Sequence, residues 1–410
     1  MRVIHTSDWH LGHTLRGEVS REHEHRAFLA WLLETCTREV ADALLITGDV
    51  FDSATPSASS ERMWFEFLAA ARRALPALDI IAIAGNHDSP GRLGAASSVL
   101  RELGVHVVGG LPRTVDGALD VDRTLIEIGG GRGIVAAVPF LRPVDVPADV
   151  TDPLEAIYGD VVEAARARRV PEQALIVTGH LYVAGADAAY LSERRVAIGG
   201  VESAPLRLFP DDIDYVALGH VHKAQRVGRD TIRYAGAPIA LALDEGDYKH
   251  QIVVIDFEEG RVRELRQLLV PRVIEIVRIP KRGAASLAEV LGALDALPAL
   301  GAMGADDPTR PYLEVVVALE KPEPKLRALI EAALDGKRAR LVALHVQATG
   351  DGRALGDRLT LQRLAELDPR EVFGRLWARS HSQAPSADVL SGFERLLAEV
   401  QGDAADPEAS

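Results

Sequence analysis

The chain has 410 residues, 47% of them hydrophobic, and a formal net charge of −14. That length can bury a large core and build two or three domains, while the acidic balance argues against non-specific coating of nucleic acid, although a whole-chain sum hides local patches and a partner can supply basic surface. A single cysteine, Cys36, excludes an intramolecular disulfide framework and fits a cytosolic protein; the N-terminus has no signal-peptide pattern, and no apolar run reaches the ~18 residues of a membrane helix.

Five segments share one design. Val3–Ser7 runs into Asp8-Trp9-His10, and Ala43–Thr47 runs into Gly48-Asp49-Val50-Phe51-Asp52. Ile80–Ala84 ends in Gly85-Asn86-His87-Asp88, Leu175–Thr178 in Gly179-His180, and Tyr215–Leu218 in Gly219-His220-Val221-His222. Each reads as a buried parallel strand that stops at a tight turn bearing carboxylate, amide or imidazole groups, at the sheet edge where open α/β folds bind ligands.

Between the strands, an amphipathic helix is expected from about Glu22 to Val40, with Phe28, Leu32, Cys36 and Val40 on one face, placing Cys36 in the core. Ser53–Ser60 reads as a loop and Glu61–Leu75 as a helix; Arg92–Leu103 is a candidate short helix. Short strands follow at Val105–Val108, Thr124–Ile128 and Ile134–Val138. The Gly129-Gly130-Gly131 cluster lacks phosphate-loop spacing and reads as a hairpin turn. Asp152-Pro153-Leu154-Glu155 has the pattern of a capping box opening a helix to about Arg169, and Ile232–Ala235 and Gln251–Asp256 are further strands. The expected fold is α/β, a two-sheet sandwich flanked by helices, over residues 1–270.

From Pro271 the texture changes to a small α+β domain (271–355), with strands at Val273–Ile279, Tyr312–Ala318 and Arg340–Val346 and helices near Ser286–Leu294 and Pro324–Leu334. His345 there reads as structural. Two terminal helices are expected over 356–400, one opened by Asp368-Pro369-Arg370-Glu371 and striped by Val372, Phe373, Leu376 and Trp377. The other is striped by Val389, Leu390, Phe393, Leu396 and Leu397; either could dock on a partner. An acidic tail, 401–410, closes the chain.

Asp8, His10, Asp49, Asn86, His180, His220 and His222 are the candidate metal ligands. Oxygen ligands mixed with imidazoles suit Mn²⁺, Fe²⁺ or Zn²⁺. With two cations at one centre, Asp49 is expected to bridge; Asp8, His10 and His222 complete one set, and Asn86, His180 and His220 the other. His87 is the candidate proton donor to a leaving oxygen, with the Asp52 carboxylate expected on its far nitrogen, and Asp88 a supporting acid or turn cap.

These segments resemble the five motifs of the calcineurin-like metallophosphoesterases. His5–Gly12, Phe28–Leu32, Gly48–Asp52, Tyr215–Gln225 and Tyr234–Pro238 resemble more closely the SbcD-type nuclease subunits, bacterial relatives of the double-strand-break repair nuclease. The resemblance spans nearly the whole chain; His13 and Ala237 are its local departures. It implies a Mn²⁺-dependent DNA nuclease with 3′→5′ double-strand exonuclease and single-strand or hairpin endonuclease activity, serving recombination, repair and replication. It also implies an SMC-like coiled-coil ATPase partner of the SbcC type, a dimer of the nuclease subunit within a heterotetramer or larger complex, and a cytoplasmic, DNA-associated location without a membrane. The implied ligand sets are those given above, with the match of His87 acting on the leaving group. A phosphatase or cyclic-nucleotide phosphodiesterase shares these ligands, and a non-catalytic scaffold is the remaining rival.

Overall fold

The computed structural model describes residues 1–145, 152–187, 203–301, 304, 307–349, and residues 373, 377, 385, 389, 390, 392 and 393 near the C-terminus. It divides into two compact units, Met1–Ala348 and Thr349–Ser410.

The first unit begins as two facing six-stranded sheets. In one, the spatial order is Arg261–Leu269, Gln251–Glu258, Arg2–Thr6, Ala43–Thr47, Asp79–Ile83 and Val105–Val108. The last four run parallel, and the first two close one side as an antiparallel pair. The second sheet follows the order Gln225–Val227, Arg229–Tyr234, Tyr215–Gly219, Ala174–His180, Gly133–Ala136 and Leu125–Ile128, parallel through its four central strands.

The continuous apolar runs follow from burial on both faces. Alternate residues Val3, Ala43, Leu45, Ile81 and Ile83 meet Val135, Ile176, Tyr215 and Ala217 between the sheets. The other set, including Ile4, Leu44, Ile46 and Ile80, packs beneath the helices Glu22–Glu39 and Ala58–Ala74. On the far side Ile134, Leu175, Val177 and Val216 pack with the helix Pro153–Arg168. His5 ties the sheets together under the rim. Its Nδ1 lies 3.0 Å from the Tyr215 hydroxyl and its Nε2 3.0 Å from Thr47 Oγ1, and burial lowers its pKa to about 3.

Several local expectations shift. Val40 is 73% exposed and left-handed at the end of the first helix, because a four-residue spacing drifts around the helix and the helix stops at Glu39. The second helix starts at Ala58, inside the expected loop, because Ser57 caps it by accepting from Ser60 N. The expected helix at 92–103 is two, Pro90–Gly94 and Ser97–Glu102. Asp152 caps its helix, while Glu155 takes an ion pair with Arg207. The glycine cluster is the hairpin turn, with all three glycines at positive φ.

The smaller module places Tyr312–Leu319 between Ile276–Ile279 and Ala285–Ser286 on one edge and Arg340–Ala348 on the other, all parallel, with the helices Leu287–Asp295 and Leu326–Ala333 as crossovers. It is anchored to the first helix by a buried cluster: Tyr312 donates to Glu24 Oε2 at 2.7 Å, and Glu24 pairs with Arg21, which also donates to the Ala240 carbonyl. His345 pairs with Glu314 at 3.2 Å. The acidic tail and most of the expected terminal helices lie outside the described residues; among those described, Phe373 stacks on Phe393 with ring centroids 4.2 Å apart. No helix of the described residues is long and apolar enough to cross a membrane.

Cys36 is buried, and burial pushes its thiol up to about 12. A chromogenic disulfide reagent at pH 8 should therefore leave native protein unmodified and titrate one thiol after denaturation; stoichiometric reaction of the folded chain would contradict the packing.

Candidate metal centre

The carboxyl ends of the central strands of both sheets deliver their turns to one rim. Trp9 fixes the first turn: it is fully buried edge-on against Phe28, Trp64 and Phe67, with Nε1 donating to Thr6 Oγ1 at 3.0 Å. Asp8 and His10 flank this anchor, and both take left-handed backbone, φ 53° and 47°. Asp49 and His220 do so as well, at 48° and 99°. Such conformations cost of order 1–3 kcal/mol each in a non-glycine residue and persist where a site requires them. The adjoining glycines are set by close approach: a Cβ on Gly219 would lie 1.8 Å from the Thr47 carbonyl oxygen, and one on Gly85 would lie 2.1 Å from Asp49 Oδ1.

The seven expected ligands converge. Asp49 stands in the middle, with Oδ2 3.4 Å from His10 Nε2 on one side and 3.3 Å from His180 Nε2 on the other. Asp8, His10 and His222 bring one ligand atom each within 4.8 Å of one another. On the other side His180 Nε2 and His220 Nδ1 each lie 3.0 Å from Asn86 Oδ1. Neighbouring ligands of an octahedral ion at about 2.1 Å are about 3 Å apart, so this spacing suits a shared cation. Asp8 Oδ2 and His10 Nε2 are buried without a hydrogen bond, a costly state for polar atoms that a cation would relieve. The donor set fits a divalent transition metal.

Charge is organised to match. Burial alone would raise the Asp49 carboxyl, yet His180, His10 and His87 hold it well below the usual range. Burial opposes a charge on His180, but the Asp49 carboxylate raises its pKa to about 9; burial and the neighbouring His180 push His220 down to about 3. Asp88 binds no ligand group. It accepts from Val50 N, Phe51 N and Gly85 N at 3.1, 2.9 and 2.8 Å, joining the Asp49 and Asn86 turns, and burial beside Asp49 lifts it to about 6.

The orienting role expected of Asp52 is corrected. His87 Nδ1 donates to the Asp52 backbone carbonyl at 2.8 Å, whereas the Asp52 carboxylate lies 3.2 Å from His10 Nδ1 and 2.9 Å from His13 Nδ1. The loop turns the side chain outward to these two imidazoles and leaves only its main chain to His87. His87 is also near enough to His10 and Asp49 to enter a ligand group by distance, and its amide donates to Asp49 Oδ1 at 2.9 Å.

Two contributors escape the motif reading. His13 bridges Asp52 to the Leu241 carbonyl, and Glu245, fully buried, accepts from His222 Nδ1 at 2.9 Å. Glu245 sits in the short 3-10 helix Leu243–Asp247, whose sequence has no periodicity to mark it; only the known partner His222 would have prompted a search for an acid behind it.

Residues 1–224 match the calcineurin-like phosphoesterase family, and residues 270–381 match the type 5 capsule protein repressor C-terminal domain. The SbcD subunit of the nuclease SbcCD from Rhodobacter capsulatus is 39% identical over 84% of this chain and 87% of its own length. Its counterparts from Escherichia coli K12 and Bacillus subtilis 168 are 32% and 33% identical, each over 71% of this chain and over 73% and 74% of their own lengths. With a family match over more than half its length and relatives this similar, the chain belongs to the calcineurin-like phosphoesterases, among the SbcD-type nuclease subunits.

Proposed function

We propose that the chain is a Mn²⁺-dependent DNA nuclease subunit, cutting duplex ends 3′→5′ and single strands or hairpins, with an SbcC-type coiled-coil ATPase as partner in DNA recombination, repair and replication. The observation that carries the catalytic reading is the position of Asp49 Oδ2 between His10 and His180, at 3.4 and 3.3 Å, which supports a shared carboxylate between the two expected ligand sets. The relatives' shared name, a nuclease subunit of SbcCD, supports the substrate and partner.

In this reading Asp8, His10 and His222 would hold one cation, Asn86, His180 and His220 the other, with Asp49 shared between them. Bound there, two cations would supply a water of lowered pKa and neutralise charge on the phosphoryl group. The chain's own residues do the rest. A carbonyl only accepts, so the Asp52 main chain fixes the His87 proton on Nδ1 and leaves Nε2 as the working nitrogen. Protonated there, His87 gives its proton to the leaving oxygen. The working division is a nuclease domain, 1–270, a small domain, 271–355, and a partner-binding region, 356–400. The chain works as a dimer within a heterotetramer or larger complex, in the cytoplasm on DNA.

The test is Mn²⁺-dependent cleavage of an end-labelled DNA hairpin, with and without the ATPase; no cleavage in either arm, with metal bound, would defeat the nuclease reading. Asp49→Ala should lose several orders of magnitude in rate and lower bound metal, checked by metal analysis alongside the assay. His87→Ala should keep both ions and DNA binding yet cut about 10²–10⁴-fold more slowly; loss of metal would make His87 a ligand instead. Truncation after Gly350 should retain metal binding and basal single-strand cleavage, because all seven ligands precede residue 223. It should lose co-elution with the ATPase in size-exclusion chromatography, and with it ATP-stimulated cleavage of duplex ends.

A further inference from the structure

We infer that Glu245 is the positioning residue of the metal centre: it fixes the tautomer of His222 and thereby sets the affinity of the Asp8–His10–His222 cation site. This rests on the two-cation reading above, and adds a residue outside its ligand set.

The four imidazoles among the expected ligands are backed differently. His180 Nδ1 donates to the Thr47 main-chain carbonyl at 2.9 Å, whereas His220 turns Nδ1 itself into the expected ligand set, 3.0 Å from Asn86 Oδ1. His10 shares Asp52 Oδ1 with His13. His222 Nδ1 instead meets a carboxylate with no exposed surface: Glu245 Oε1 accepts from it at 2.9 Å, while Glu245 Oε2 accepts from Leu241 N at 2.8 Å. A carboxylate cannot donate to the ring, so the proton must sit on Nδ1 and the lone pair on Nε2. A buried anion on the far nitrogen also makes the imidazole a more basic ligand.

The surrounding segment is built to hold this contact. Gly236 is left-handed, φ 80°, and a Cβ there would come within 2.6 Å of the His222 carbonyl oxygen, so the chain folds back directly over the His222 turn. Ala237 N donates to the His222 carbonyl at 3.0 Å. Arg21 holds the Ala240 carbonyl, His13 Nε2 donates to the Leu241 carbonyl at 2.9 Å, and His250 Nδ1 donates to the Ala237 carbonyl at 2.8 Å. The loop is thereby tied at Leu241 and at two carbonyls before it, and the Leu241 amide occupies the second Glu245 oxygen.

Glu245→Gln separates charge and tautomer from packing. Its single amide oxygen remains for Leu241 N, so its NH₂ must face His222, which is then driven to accept at Nδ1 and carry its proton on Nε2, the wrong tautomer for a ligand. The experiment is ¹H–¹⁵N imidazole spectroscopy of the metal-free chain with ¹⁵N-histidine, combined with calorimetric Mn²⁺ titration. Wild type should show His222 as the Nδ1–H tautomer, and Glu245→Gln as Nε2–H, with Mn²⁺ affinity at one site down about 10- to 100-fold. In a His222→Ala background Glu245→Gln should cost nothing further. Should Glu245→Gln fold poorly, the wild-type tautomer and a Glu245→Asp titration, which retains the negative charge and should recover part of the affinity, decide the matter. An Nε2–H tautomer in wild type, unchanged Mn²⁺ affinity in folded Glu245→Gln, or an equal loss in the His222→Ala background would overturn the inference. A wild-type chain that binds no Mn²⁺ would instead remove the metal reading beneath it.

Discussion

A buried carboxylate among imidazoles is the constraint on which the rim depends. Asp49 has almost no exposed surface, and an isolated charge at such depth would be expelled by protonation. It stays ionised because His180, His10 and His87 surround it. Those side chains come from different strands, so the charge is stable only when both sheets are in register. The site and the sandwich therefore require each other. His5, bonded to Tyr215 and Thr47 one layer below, carries the same requirement into the core.

The cost of presenting these groups is met locally and structurally. Asp8, His10, Asp49 and His220 adopt backbone that only glycine takes readily. Trp9 locks the first of these turns into the helix-covered core, and Asp88 clamps the next two through three main-chain amides. Packing and hydrogen bonds away from the rim thus hold the candidate ligands in place.

Much of this was legible in the sequence because each strand announced itself twice, by a run of apolar residues and by the glycine or acid that ended it. Ala43–Thr47 into Asp49 and Tyr215–Gly219 into His220 are of this kind. What stayed hidden had one signal or none. The edge strand Arg261–Leu269 spaces its apolar residues Val262, Leu265 and Leu268 three apart among charged ones, without the alternation that marks a strand, and resembles surface chain. Glu245 lies in a single short 3-10 helix, Leu243–Asp247, that no apolar pattern announces. The Asp52 assignment named the right residue and the wrong atom, since a sequence shows which groups a residue owns but not which way its main chain and side chain part.

The Arg21–Glu24–Tyr312 cluster bears on how small a working fragment can be. The phosphoesterase match ends at residue 224, and the expected ligands end at His222, which invites a cut soon after. Such a cut would remove Tyr312 and the Ala240 carbonyl together, leaving the Arg21–Glu24 ion pair without the two hydrogen bonds that tie it to the rest of the chain. The segment carrying Glu245 would go with it. For protein engineering, the portable catalytic cassette is the whole of Met1–Ala348 rather than the span its signature motifs occupy.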